Sequence, residues 1–127
     1  MDVDDAVRAS LDHGQMVDIT TTGAKTGRPR RLEIVMHNFG GHLYLSGIPN
    51  AARKRGWLAN LEANPALTIH LHRPVEADLP ATARVITDPA ERTVVLEQVA
   101  RVWNRRDLNV MVEHSPLTEI TVEGYPA

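Results

Sequence analysis

The 127-residue chain contains no cysteine. That absence excludes disulfides, thiolate nucleophiles and cysteine-based metal sites, and is compatible with a reducing compartment. No apolar run approaches the length needed to cross a membrane. The amino terminus carries Asp2, Asp4 and Asp5 instead of the basic-then-apolar layout of a signal peptide. Together these absences predict a soluble, cytoplasmic protein without an integral membrane segment. A strong net charge is missing too. The formal value of −2 argues against a nucleic-acid partner, which would call for a basic surface. The length predicts one domain over residues 1–127, able to bury roughly two-thirds of its unfolded surface.

Several reaction motifs are also absent. Gly23-Ala-Lys-Thr-Gly27 has the residue types of a phosphate loop but not the Gly-Lys-Ser/Thr order, and a strand pattern follows where a helix is required. Ser10, Ser46 and Ser115 lack the Gly-x-Ser-x-Gly context of a nucleophile elbow. No paired carboxylates stand out for acid–base hydrolysis. Chemistry carried by a bound cofactor, such as hydride transfer, asks least of the protein's own acids and bases.

What is present is concentrated in one place. Thr20–Arg31 packs two glycines, a proline and four cations (Lys25, Arg28, Arg30, Arg31) between two strand-like runs. Seven of the fourteen Lys and Arg residues fall in this stretch and in Arg53–Arg55. On a mildly acidic protein such clusters make a local positive field suited to a small anion. A glycine-containing turn adds converging backbone N–H groups. His70 and His72, two apart on a strand, share a face, but zinc needs a third protein ligand, and a polar or ligand-facing wall is the simpler reading. No metal site is assigned. Trp103 reads as a core anchor, and Trp57, beside Arg53–Arg55, suits either the core or a ligand wall.

The hydrophobic periods predict the element order. Asp4–His13 reads as an amphipathic helix ending at Gly14. Strands follow at Met16–Thr21, Arg31–His37 and His42–Gly47, the last two joined by a turn containing Gly40-Gly41. Asn50 is placed as the cap of a helix over 51–63, which Asn64-Pro65 ends. Ala66–His72 and Val75–Ile86 read as strands, the second bulged at Pro80. Asp88-Pro-Ala-Glu91 opens a helix in which the aspartate takes a free N–H and the glutamate reaches back. That helix runs to about Arg105, burying Val95, Leu96, Val99, Val102 and Trp103. A short helical turn at Leu108–His114 and a strand at Leu117–Val122 complete the chain. Six mainly antiparallel strands with helices outside predict an α+β barrel.

Three stretches then carry a resemblance. Thr20-Thr-Thr-Gly-Ala-Lys-Thr-Gly-Arg-Pro-Arg30, Gly41-His-Leu-Tyr-Leu-Ser-Gly47 and Trp57-Leu-Ala-Asn-Leu-Glu-Ala-Asn-Pro65 resemble, in order and spacing, the deazaflavin-dependent nitroreductase family among the split-β-barrel flavin and deazaflavin oxidoreductases. The resemblance covers about Met16 to Val122. It implies a split β-barrel (FMN-binding-like) that binds coenzyme F-420, an 8-hydroxy-5-deazaflavin, and passes hydride to an electron-poor small molecule: an activated C=C, a quinone or a nitro compound.

Carried over by position, the resemblance assigns Lys25, Thr26 and Arg30 to the phosphate and oligoglutamate tail of the coenzyme, with Gly27 inside the same loop. Ala24 departs from the pattern, where many members have a basic residue, and Arg28 or Arg31 are the candidate replacements. Ser46, Gly47, Ile48, Pro49 and Asn50 would lie beside the deazaflavin ring, and Trp57 and Asn60 would shape the groove. No catalytic residue is assigned. Nitroimidazole-reducing members carry tyrosines in the region of Arg105–His114, where this chain has none, which argues against nitroreduction in the narrow sense. Two alternatives stay open at this level. One is an FMN-dependent split-barrel reductase. The other is a non-catalytic cofactor or haem binder using His37, His70 or His72. The oligomeric state, monomer or homodimer, is open as well.

Overall fold

The structure, a computed structural model, describes residues 4–50, 55–72 and 75–126. Chain order is α1 (Asp5–Leu11), β1 (Gln15–Thr22), β2 (Pro29–Phe39), β3 (His42–Ser46), α2 (Gly56–Ala63), β4 (Ala66–Leu71), β5 (Ala77–Val85), α3 (Pro89–Trp103), α4 (Leu108–His114) and β6 (Leu117–Val122). The strands close into one barrel in the order β1-β2-β3-β6-β5-β4, every pair antiparallel. The predicted α+β split barrel is the observed fold.

Period-2 alternation decides which side chains enter the barrel. Val17 and Ile19 of β1, Ile34 and Met36 of β2, Leu43 and Leu45 of β3, and Leu67 and Ile69 of β4 are all buried in one apolar cluster. At one end α1 contributes Val7 and Leu11 to that cluster. Asp4 caps α1 by accepting the Val7 N–H at 2.8 Å. The Tyr125 hydroxyl donates to Asp12 at 2.7 Å and accepts from Asn38 at 2.8 Å, fastening the chain's last turn to the same end. α2 supplies Trp57 and Leu61 to the barrel cluster. A second cluster lies outside, where Tyr44 and Leu117 meet Leu96 and Val99 of α3 and Met111 of α4.

Several expectations are corrected. Helix α2 begins at Gly56 with Arg55 at its N-cap, so Asn50 does not cap it. Residues 51–54 of the predicted helix, including Arg53 and Lys54, lie outside the described residues. Asn64 does end α2, in an extended conformation that suits the residue before Pro65. Strand β5 has no bulge: pairing with β4 runs unbroken from Ala66↔Thr82 to Leu71↔Ala77. Pro80 is tolerated because the ladder to β6 begins only at Ala81, which leaves the proline's missing N–H unneeded on that side.

Asp88 does accept the Glu91 N–H at 2.9 Å, but the Glu91 carboxylate turns to Arg84, 2.6 and 3.0 Å away, instead of reaching back. A charged partner outcompetes a backbone amide. Val102 is 61% exposed and does not belong to the buried stripe of α3, which consists of Val95, Leu96, Val99 and Ala100. Trp103 packs, half-buried, against the second cluster.

Candidate functional site

The β1–β2 turn is built by its own backbone. The Gly23 N–H donates to the Arg28 carbonyl at 2.8 Å, and the Gly27 N–H donates to the Gly23 carbonyl at 2.9 Å. Gly27 adopts φ 72°, a region side chains disfavour. A Cβ on Gly23 would come within 2.8 Å of Thr26 Oγ1, so the turn's inside is also reserved for glycine. Thr26 Oγ1 then accepts the Arg28 N–H at 3.2 Å.

Helix α2 holds this turn in place. Asn60 Oδ1 accepts the Ala24 N–H at 2.9 Å, while Asn60 Nδ2 donates to Thr21 Oγ1 at 3.0 Å. Both ends of one amide are therefore spent on docking the helix to the loop. Between them lies a mostly apolar cavity of about 560 Å³. Lys25, Thr26, Arg30 and Arg31 line it from the hairpin, and Trp57 and Asn60 line it from α2. Trp57 is buried in the barrel cluster and also lines this cavity.

The four cations are not equivalent. Lys25, Arg28 and Arg30 have no carboxylate partner among the described residues. Arg31 donates from Nε to Asp18 at 2.8 Å. Asp18 also lies 3.2 Å from His72 Nε2. Hydrogen bonds from Arg31 and then His72 hold the Asp18 carboxyl below its ordinary pKa. Strand parity explains the difference. Arg30 is paired with inward-facing Thr21, and Arg31 with outward-facing Thr20. Arg28 and Gly27 do not line the cavity.

The predicted ring-side residues occupy another place. Ser46 is buried, and its hydroxyl donates to the Pro116 carbonyl at 2.8 Å, so it ties β3 to β6. Gly47 sits against Pro116, where a Cβ would approach to 3.2 Å. The Ile48 side chain is 58% exposed, and its carbonyl accepts from Arg55 at 2.8 Å. Pro49 is half-buried beside it. Asn50 lines a second cavity, about 390 Å³, on the other side of α2. Sequence reasoning missed this cavity's other walls, which include Leu58, Ile86, Arg92, His114 and Leu117. Arg92 left one signal: a cation in the first turn of a helix stands where the helix dipole disfavours it.

His70 bridges Thr20 Oγ1 and Asp78 Oδ1, each at 2.7 Å, and His72 contacts Asp18. Both belong to a polar lattice on the outer barrel face. No cluster of three or more His, Asp or Glu residues suited to a metal ion occurs among the described residues. His37 is buried against Phe39 and Trp103, and burial pulls its pKa down to about 4.

One comparison decides the family. Residues 3–122 match the family described as F420H(2)-dependent quinone reductase. The chain belongs to that family. It is thus a coenzyme F-420-dependent oxidoreductase. Solved structures agree on the fold. A reductase dependent on the reduced coenzyme (FDR-A) is 20% identical with a TM-score of 0.61, over 84% of this chain and 93% of that one. A second structure described as an F-420 reductase gives 0.68 at 14% identity, over 97% and 98% of the two chains. A putative 5-nitroimidazole antibiotic resistance protein from Bacteroides thetaiotaomicron gives 0.66 at 16% identity, over 94% and 80%. Among the described residues no helix of this reductase is long and apolar enough to cross a membrane.

Proposed function

We propose that the reductase holds the anionic tail of coenzyme F-420 in the cavity between the β1–β2 turn and α2, and its ring beside residues 46–50. The observation carrying this reading is that Lys25 and Arg30 line that cavity with no carboxylate partner among the described residues, opposite the wall made by Trp57. Both cations are exposed and free to close on an anion, and charge-assisted hydrogen bonds are the stronger class. Thr26 adds a hydroxyl at the same edge. Arg31, already engaged by Asp18, contributes the nitrogens its Nε bond leaves over. The coenzyme then passes over the N-terminal end of α2, whose two sides face the two cavities.

When bound and reduced, the coenzyme supplies a hydride. The chain's own part is to grip the tail, present the ring to the second cavity and keep the acceptor aligned, since a near-attack geometry removes much of the barrier. The acceptor is a small electron-poor compound: a quinone, an activated C=C or a nitro compound. Titrating the purified protein with oxidised coenzyme tests the reading through quenching of the deazaflavin fluorescence. Saturable quenching at micromolar coenzyme is expected, and none at high micromolar concentration would sink it.

A further inference from the structure

The second cavity is lined by a half-buried cation, Arg92, that pairs directly with no carboxylate among the described residues, although Glu62 and Glu113 line the same cavity. Arg92 is half-buried, and its guanidinium donates to four carbonyls: Val112 at 2.8 Å, Ile86 at 3.0 Å, Met111 at 3.3 Å and Ser115 at 2.5 Å. Arginine has five N–H donors, so one, on Nη1, is left over. No carboxylate pairs with it among the described residues. Burial alone pulls its pKa down, with nothing opposing. Arg92 therefore offers the cavity a fixed cation with an unused donor. Leu58, Ile86 and Leu117 give the same cavity apolar walls. At its rim stands the half-exposed imidazole of His114, with the Glu113 carboxylate 3.6 Å from Nε2.

We propose that this cavity is the electron-acceptor site, that its substrate is a conjugated carbonyl compound, and that Arg92 and His114 act on it directly. The inference rests on the coenzyme reading above. Apolar walls take the flat carbon skeleton, and Arg92 Nη1 donates to the carbonyl oxygen, where negative charge develops. Hydride from the reduced coenzyme forms a C–H bond at the β-carbon, and the π pair of the C=C moves toward the oxygen. Arg92 holds the resulting enolate. His114 in its protonated form gives a proton to the α-carbon and regains one from water at the open rim. The proton left on the oxidised coenzyme departs to water, so two electrons and two protons are accounted for. Arg92, held by four backbone carbonyls, is fixed in place before the acceptor arrives, which is the condition for electrostatic preorganisation.

Arg92 also clamps the chain from Met111 to Ser115, so its variants report on folding first. Thr87 and His114 carry the test. Thr87 is exposed and lines the cavity, so Thr87→Trp fills the space without touching the tail groove. Coenzyme affinity is read by fluorescence. Oxidation of the bound, reduced coenzyme by 2-cyclohexen-1-one is then followed anaerobically in single turnover. Both variants are expected to bind coenzyme within about twofold of wild type, a change below about 0.5 kcal/mol. Thr87→Trp should raise the half-saturating enone concentration at least ~10-fold. His114→Ala should slow the saturated rate on the order of 100-fold, with added imidazole restoring part of it. Wild-type coenzyme affinity with unchanged enone kinetics in the two variants overturns the inference alone. So does a slow His114→Ala that imidazole does not rescue, or a wild type that binds coenzyme but leaves the enone unreduced. A wild type without coenzyme affinity overturns the underlying reading with it.

Discussion

Lys25 and Arg30 differ from Arg31 in what each already holds. Arg31 Nε is engaged by Asp18 at 2.8 Å, while the other two face the cavity without an anion. Replacing Lys25 or Arg30 by Ala should therefore weaken coenzyme binding by about 1.5–3 kcal/mol each, the range for hydrogen bonds to charged groups. Their melting temperatures should stay near wild type, because removing an unpaired cation breaks no internal contact. Calorimetric titration checks both points. His37 makes the opposite prediction, touching stability and not binding. It is 2% exposed, and its pKa is lowered to about 4 by desolvation. The unfolded chain holds a proton there over a pH range where the folded one does not. Stability from this group is thus complete above the ordinary histidine value and is lost as pH falls from there toward 4. At about pH 4.5 the loss should reach about 2–3 kcal/mol relative to neutral pH. His37→Phe, which keeps a ring beside Phe39 and Trp103, should lose that much less on acidification in urea unfolding. Equal pH dependence in the two proteins would show that the imidazole is not buried neutral.

Between elements, the contact that matters most for the site is one side-chain amide. Asn60 of α2 joins Ala24 in the turn to Thr21 of β1, and so holds the turn against the helix beside the cavity they share. Asn60→Ala should cost about 1–2 kcal/mol of stability, the ordinary range for losing two hydrogen bonds, one part-buried and one exposed. It should also weaken coenzyme binding several-fold although it removes no charge. Normal affinity in a destabilised variant would mean that the turn keeps its shape unaided. This linkage shows what the sequence can disclose. The turn, the Trp57–Pro65 helix end and the alternating strands were legible because each is a local pattern, set by glycine conformation, proline sterics or period-2 burial. The Asn60 bridge spans 36 residues to Ala24 and follows no local rule. Nor do the walls of the second cavity, which come from α2, the β5–α3 connection, α3 and the α4–β6 junction. Val102 misled because its spacing from Val95 and Val99 fits the buried face, and only the neighbouring α4 decides where that face ends.

At the scale of the whole molecule, the barrel separates two kinds of surface. Helices α3 and α4 cover the outer face of β3 and β6 with apolar packing. The outer face of β1 and β4 carries a polar lattice of Asp18, Arg31, His70, His72 and Asp78. That lattice, whose two carboxylates are already engaged by Arg31, His70 and His72, lies next to the cationic turn, on a protein whose sixteen acidic residues outnumber its fourteen Lys and Arg. On the proposed reading, a polyanionic tail is drawn to the one short stretch where Lys25, Arg28 and Arg30 have no carboxylate partner among the described residues. Attraction of this kind between exposed charges decays over the Debye length, which shortens from about 10 Å at 0.1 M salt to about 3 Å at 1 M. The ring and its apolar contacts are indifferent to that change. Raising NaCl from about 0.05 to about 0.5 M should therefore weaken binding of the full coenzyme at least severalfold, while a deazaflavin riboside lacking the phosphate and glutamates, already a weaker ligand, should bind almost as before. Lys25→Ala should flatten the salt dependence of the full coenzyme toward that of the riboside. If salt weakens both ligands equally, the affinity does not come from the tail, and the cations of the β1–β2 turn have another partner.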